Sequence, residues 1–188
     1  GYALCVVNTG GDHGDLTDDY AAIRKEMEAV AAHFGKHVLR EVELETVESH
    51  IGELRRACGD RAVLRALHYY DENARVLEQA AAIRGGDLPA FFDAVKRSGD
   101  SSWKLLQNVY ARSTEEQMAM GIELSRRFLH GDGAQRVHGG GFAGTIQTYV
   151  PLDRLDDYKK LMEDAFGPGS CTALMVRPEG AVMMPMEG

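Results

Sequence analysis

Between Gly133 and Val150 the chain reads Gly-Ala-Gln-Arg-Val-His-Gly-Gly-Gly-Phe-Ala-Gly-Thr-Ile-Gln-Thr-Tyr-Val. Three consecutive glycines, then Gly144, separate two short apolar runs. Residues without Cβ reach positive φ and let another surface approach the backbone, at an entropic cost that a simple turn has no reason to bear. A loop lying close to a ligand or a neighbouring backbone does need them. The plainer alternative is a hairpin with redundant glycines, for which one or two would serve. Thr145 to Val150 predicts a strand, with Ile146, Thr148 and Val150 on one face and Thr145, Gln147 and Tyr149 on the other.

The rest of the chain has enough apolar residues to bury a core. It has 188 residues, 44% of them hydrophobic, which predicts one globular domain over 1–188. The net charge of −8 argues against nucleic acid or an anionic membrane as partner, since both need a basic face. Arg126, Arg127 and Arg136 lie near the glycines in sequence. The first two read as solvated helix-end charges. No apolar run is long enough to cross a bilayer, and no signal peptide is visible. The start at Gly1-Tyr2, without an initiator Met, suggests a fragment or a processed chain. Cys5, Cys58 and Cys171 are odd in number and widely spaced; Cys5 and Cys171 sit in apolar runs and are expected as reduced core residues, with a cytoplasmic setting. The seven histidines form no metal-binding helix pattern, and no metal site is expected.

Along the chain, Tyr2 to Asn8 predicts a strand and Thr9 to Asp15 a turn-rich loop. Thr17 or Asp18 then caps a helix with Tyr20, Ile23, Met27, Val30, Ala31 and Phe34 on one face, stopped by Gly35. Leu39 to Glu45 is open between short strand and loop. Helices are predicted over Thr46 to Cys58 and over Arg61 to Ile83, the second with Val63, Leu67, Tyr70, Ala74, Leu77 and Ala81 inward. Asp87 caps another through Phe91, Phe92 and Val95. Ser101 to Tyr110 reads as helical around Trp103. Thr114 to Leu129 reads as a helix with Met118, Ile122, Leu124 and Phe128 inward. Leu155 to Phe166 predicts a helix, and Thr172 to Arg177 a strand that turns towards Val182-Met-Met. Strands at both ends and helices between them predict an α+β fold, a small antiparallel sheet packed against helices on one side, with the first strand paired to those of the C-terminal third.

These segments carry a resemblance. Arg136-Val-His-Gly-Gly-Gly-Phe-Ala-Gly144 resembles the third motif of the GHMP small-molecule kinase superfamily. Asn8-Thr-Gly-Gly-Asp-His13, Leu16, Asp19-Tyr20, Arg24, Gly35-Lys36, Leu39-Arg-Glu-Val42, Glu72-Asn73-Ala-Arg75-Val-Leu77 and Gly86-Asp87-Leu88-Pro-Ala-Phe91 are similar, in order, to the C-terminal half of the galactokinases. The resemblance implies a GHMP kinase C-terminal domain with a ferredoxin-like core and helical insertions. His138 and Ala143 depart from the usual Thr and Gly. Arg97-Ser-Gly-Asp-Ser-Ser-Trp-Lys lacks the family's usual Ser-His and acidic pattern.

The resemblance further implies a longer parent that uses ATP and Mg²⁺ to convert galactose to galactose 1-phosphate. The catalytic carboxylate, its assisting Arg and the Ser-rich phosphate loop belong to an N-terminal half absent from this sequence, so no catalytic residue and no bound cofactor are expected in this chain alone. Another GHMP sugar kinase, acting on N-acetylgalactosamine or a uronic acid, or a non-catalytic sugar sensor, is the alternative. Tyr20 is assigned to the sugar. Gly139, Gly140, Gly141, Phe142 and Gly144 are assigned to a loop at the substrate and phosphate end of an interdomain cleft, where rigid N–H groups can hold an oxygen anion. His13 and His138 are secondary candidates, His138 as a structural or orienting group. Asp12, Asp15, Asp18 and Asp19 read as capping or solvated rather than as a Mg²⁺ cluster.

Overall fold

Alternation decides where the sheet faces. Strand β1 (Tyr2–Asn8) buries Ala3, Cys5 and Val7 and leaves Tyr2, Leu4 and Val6 half-buried. Strand β3 (Thr145–Pro151) buries Ile146, Thr148 and Val150 as predicted. The two pair antiparallel with Cys5 opposite Thr148 and Ala3 opposite Val150, so their buried sets share one face. Strand β2 (Ala134–Val137) joins β3, and β4 (Cys171–Leu174) joins β1, giving the order β2-β3-β1-β4 with every pair antiparallel. The computed structural model describes residues 1–11, 16–110, 112–142, 144–175 and 180.

Helices α6 (Gln117–Leu129) and α7 (Leu155–Phe166) cover the buried face through Met118, Ile122, Leu129, Tyr158 and Met162. The polar groups in this core are paired: the Tyr158 phenol lies 2.8 Å from both Ser125 Oγ and Thr148 Oγ1. Strand, helical crossover, hairpin, helix and strand in this order make a ferredoxin-like β-α-β-β-α-β core, and the expected α+β class holds. Cys5 and Cys171 are buried free thiols, as expected.

The crossover from β1 to β2 contains the helical insertions α1 (Thr17–His33), α2 (Leu44–Ser49), α3 (Ile51–Cys58), α4 (Asp60–Gly85) and α5 (Leu88–Ser101). They form a second core around Val30, Leu39, Val47, Leu54, Val63 and Ala66. Asp87 caps α5 by accepting the Ala90 N–H at 3.0 Å, as predicted. Helix α5 also laps the other face of the sheet, where Phe91 and Phe92 meet Tyr2 and Tyr149. Gly99 permits this contact, because a Cβ there would come within 3.0 Å of Arg136 Cβ.

Several expectations need correction. The cap of α1 is Leu16, without a side-chain bond, and Thr17 is already helical; Asp18 and Asp19 lie in the first turn. Gly35 does end the helix, at φ +69°. The segment left open at Leu39 is a 3₁₀ turn (Leu39–Glu41) leading into α2, and the predicted Thr46–Cys58 helix is broken at His50. In α4 the inward face turns. Ala74, Leu77 and Ala81 are exposed, whereas His68, Arg75 and Ala82 are buried. Ala62, Val63 and Ala66 pack with Val30 of α1 and Leu54 of α3, whereas Ala82 packs with Phe91 and Phe92 of α5, so no single stripe serves both neighbours. Ser101–Tyr110 is not one helix but a π-helical turn (Ser102–Leu106) that ends in left-handed Gln107. The last strand stops at Leu174; Arg177 and Val182-Met-Met lie outside the described residues. No helix among the described residues is long and apolar enough to cross a membrane.

Candidate functional site

The glycine segment connects β2 to β3, so it is a hairpin loop, and each glycine in it has its own reason. Gly139, Gly141 and Gly144 adopt φ of +67°, +80° and +108°. Gly140 faces Tyr20, whose Cε1 would lie 2.8 Å from an added Cβ. A Cβ on Gly141 would overlap the main-chain oxygen of Asn108 and come within 2.6 Å of its Nδ2. The redundancy suggested by sequence is therefore absent, and close approach accounts for two of the four. Phe142 takes φ +62°, a left-handed conformation that costs a residue with Cβ about 1–2 kcal/mol. Burial of its ring against Leu16, Tyr20 and Ile23 offsets that strain.

The loop's oxygen atoms are tied inward. Tyr20 donates its phenol proton to Gly141 O at 2.7 Å, and its ring meets Phe142 edge-on at 5.1 Å between centroids. Asn108 Nδ2 donates to Gly140 O at 3.0 Å, and Asn108 O accepts the Phe142 N–H at 2.5 Å. Gly144 O accepts both the N–H and the hydroxyl of Thr9 at 2.8 Å, which pins the loop to the end of β1. Gly139 and Gly140 are exposed, and no main-chain acceptor among the described residues takes their N–H groups. Main-chain N–H groups left without an internal acceptor in such a turn can serve an oxygen anion.

Tyr20 is half-buried and borders the loop rather than lying deep in the core. Burial pushes its phenol above the ordinary value. Its proton is committed to Gly141 O. His138 closes the neck of the hairpin: its N–H reaches Thr145 O at 3.0 Å and Nδ1 lies 3.1 Å from Thr145 Oγ1. His13, with Asp12 and Asp15, lies outside the described residues. Among the described residues no group of three or more His, Cys, Asp and Glu is assembled for a metal ion.

Beside the loop a cleft of about 130 Å³ is lined by Asp19, Arg61, Arg65, Trp103, Gln107 and Phe142. Its cations are already engaged. Glu26 binds Arg61 at 2.5 Å and Arg65 at 2.8 Å, and Arg65 Nε donates to Leu106 O at 3.0 Å. Burial lowers the Arg65 pKa, with Glu26 opposing the shift. Two guanidinium groups against Glu26 and Asp19 leave no strong net field for an anion. Arg126 and Arg127 are exposed and pair with Glu123, as read from sequence. Arg136 turns away from the loop to Ser98 Oγ at 2.7 Å and Glu72 Oε1 at 3.4 Å. Sequence reasoning missed Asn108. Its only local signal is an Asn-containing pair at a helix exit, where a left-handed residue is common.

The class defined by these features is a ferredoxin-like α+β domain with a helical insertion and a tightly anchored glycine hairpin beside a cleft. No family model matches the chain. It is 29% identical to a galactokinase of Mannheimia succiniciproducens over 87% of its own length, and 30% identical to a galactokinase of Haemophilus influenzae over the same share. The chain spans 41% of the length of each of these relatives. Its fold matches a solved Lactococcus lactis galactokinase, crystallised with galactose, with a TM-score of 0.71 at 16% identity over 92% of this chain and 44% of the other. The resemblance to galactokinases thus extends along nearly the whole chain in sequence and in fold.

Proposed function

We propose that residues 1–188 form the C-terminal domain of an ATP-dependent galactokinase, a cytoplasmic GHMP kinase that makes galactose 1-phosphate. The observation that carries this reading is the glycine loop: its oxygens are held inward by Tyr20 and Asn108, while Gly139 and Gly140 are exposed and no main-chain acceptor among the described residues takes their N–H groups. The match to galactokinases over about two fifths of their length supports it.

In the parent, the sugar's anomeric oxygen would form a bond to the γ-phosphorus of ATP as the bond to ADP breaks. Charge then spreads over the phosphoryl oxygens, and catalysis rests on positioning and electrostatic stabilisation. This chain's share is to orient the sugar through Tyr20 and to present main-chain donors from Gly139 and Gly140. The carboxylate that takes the hydroxyl proton, and the groups that hold ATP and Mg²⁺, are assigned to the complementary half. The chain alone is therefore expected to be inactive.

The test is release of ADP by the parent protein, and by this chain alone, with galactose, N-acetylgalactosamine and a uronic acid as acceptors. Galactose-dependent turnover in the parent alone is the expected result. Turnover only with another sugar would move the reading to a different GHMP kinase, and binding without turnover to a sugar sensor. In the parent, Tyr20→Phe should raise the sugar KM several-fold, about the loss of one neutral hydrogen bond of 0.5–1.5 kcal/mol, with a smaller change in the ATP KM. Unchanged sugar kinetics would remove Tyr20 from the site.

A further inference from the structure

We infer that Asn108 is the positioning residue of the glycine loop, a role that rests on the galactokinase reading above. It follows left-handed Gln107 at the exit of the π-helical turn, and it is 2% exposed. From there it grips the loop twice, through its main-chain oxygen at Phe142 and its amide nitrogen at Gly140. A side chain on Gly141 would fall within 2.8 Å of Asn108 Cγ, so the two segments are in contact along this stretch. With Tyr20 on Gly141 O, three successive loop groups are drawn inward, while Gly139 and Gly140 stay exposed and their N–H groups have no main-chain acceptor among the described residues.

The amide can take only one orientation. A flip would set Oδ1 against Gly140 O, two acceptors facing each other. As placed, Oδ1 is buried with no hydrogen-bond partner among the described residues. A side chain selected for packing alone would not bury an unpaired oxygen, since an apolar group of the same shape avoids that cost. The contact from Nδ2 to the loop is what the residue contributes. Asn108 meets no substrate in this scheme; it acts through the loop it holds.

The experiment compares N108D and N108L in the parent kinase, with sugar and ATP varied between about pH 5 and pH 8. A protonated Asp can donate to Gly140 O, an ionised Asp repels it, and Leu can do neither. N108L should lower kcat about ten- to a hundred-fold, the scale of a displaced positioning group, with the ATP KM within about two-fold. N108D should recover as pH falls, and N108L should not. Wild-type kcat in both variants, or the same pH profile in both, overturns the proposal. If N108L does not fold, the pH profile of N108D against wild type decides alone. If the wild-type parent phosphorylates none of the sugars, the galactokinase reading fails by itself. The clamp is then read in this chain from hydrogen exchange at the Phe142 N–H. Exchange about ten-fold faster in N108D at neutral pH, with β1 amides unchanged, supports it, and unchanged exchange overturns it.

Discussion

At the scale of the residue, the glycine loop separates two kinds of constraint that sequence cannot tell apart. Gly139 needs its conformation but has open space around it, whereas Gly141 needs both its conformation and the room a Cβ would take from Asn108. Gly139→Ala should therefore cost about 1 kcal/mol in urea unfolding. Gly141→Ala adds an overlap with backbone that cannot swing away, and should cost about 3 kcal/mol or more. Equal losses in the two variants would mean that the Asn108 contact is not as tight as drawn. Gly140→Val should displace the Tyr20 ring and impair turnover of the parent while the chain still folds.

At the scale of the element, buried polar links decide how strands and helices are held together. Tyr158 joins α7 to Ser125 of α6 and Thr148 of β3, all three fully buried. Tyr158→Phe should cost about 1–3 kcal/mol, because two hydroxyls lose a partner. A second seam links α4, α5 and β2: Ser98 donates to Glu72 and accepts from Arg136, and His68 lies 2.9 Å from Ser101 Oγ. Burial lowers the His68 pKa below its ordinary value. The unfolded chain then takes up that proton first, so this contribution is present above about pH 6.5 and is lost as pH falls below it. For Glu72, burial pushes the pKa up, but Ser98, Arg75 and Arg136 outweigh it and the net shift is down. Its contribution is present above about pH 4.3 and is lost on further acidification. His68→Gln should flatten the first part of this decline in urea midpoints measured across pH. A slope the same as wild type would assign it to other groups.

At the scale of the whole molecule, the two largest apolar cores among the described residues lie apart. One lies under the sheet, around Val7, Ile146 and Met162, and the other inside the helical insertion, around Val30, Val47 and Leu54. The polar seam and the aromatic contact of α5 with Tyr2 and Tyr149 connect them. Leu54→Ala should cost about 2–5 kcal/mol and should speed hydrogen exchange in α1 to α4 more than in β1 and β3. Equal acceleration throughout would show that the two cores open as one unit.

Local pattern was enough for most of this. Two-residue alternation marked β1 and β3, and the apolar stripe of α6, the Asp87 cap and the Gly35 stop were legible because each depends on neighbours in sequence. The glycine run was legible as a close approach, but what it approaches was not. Asn108 reaches the loop from 32 residues away, and only after a π-helical turn and a left-handed residue that no periodicity announces. The outward second half of α4 was hidden for a related reason: which side of a helix is buried depends on the partner it meets. Sequence by itself determined the elements and the positions that had to lack side chains. Tertiary structure alone decided which donors and acceptors meet, because a hydrogen bond between distant segments is set by the fold that brings them together.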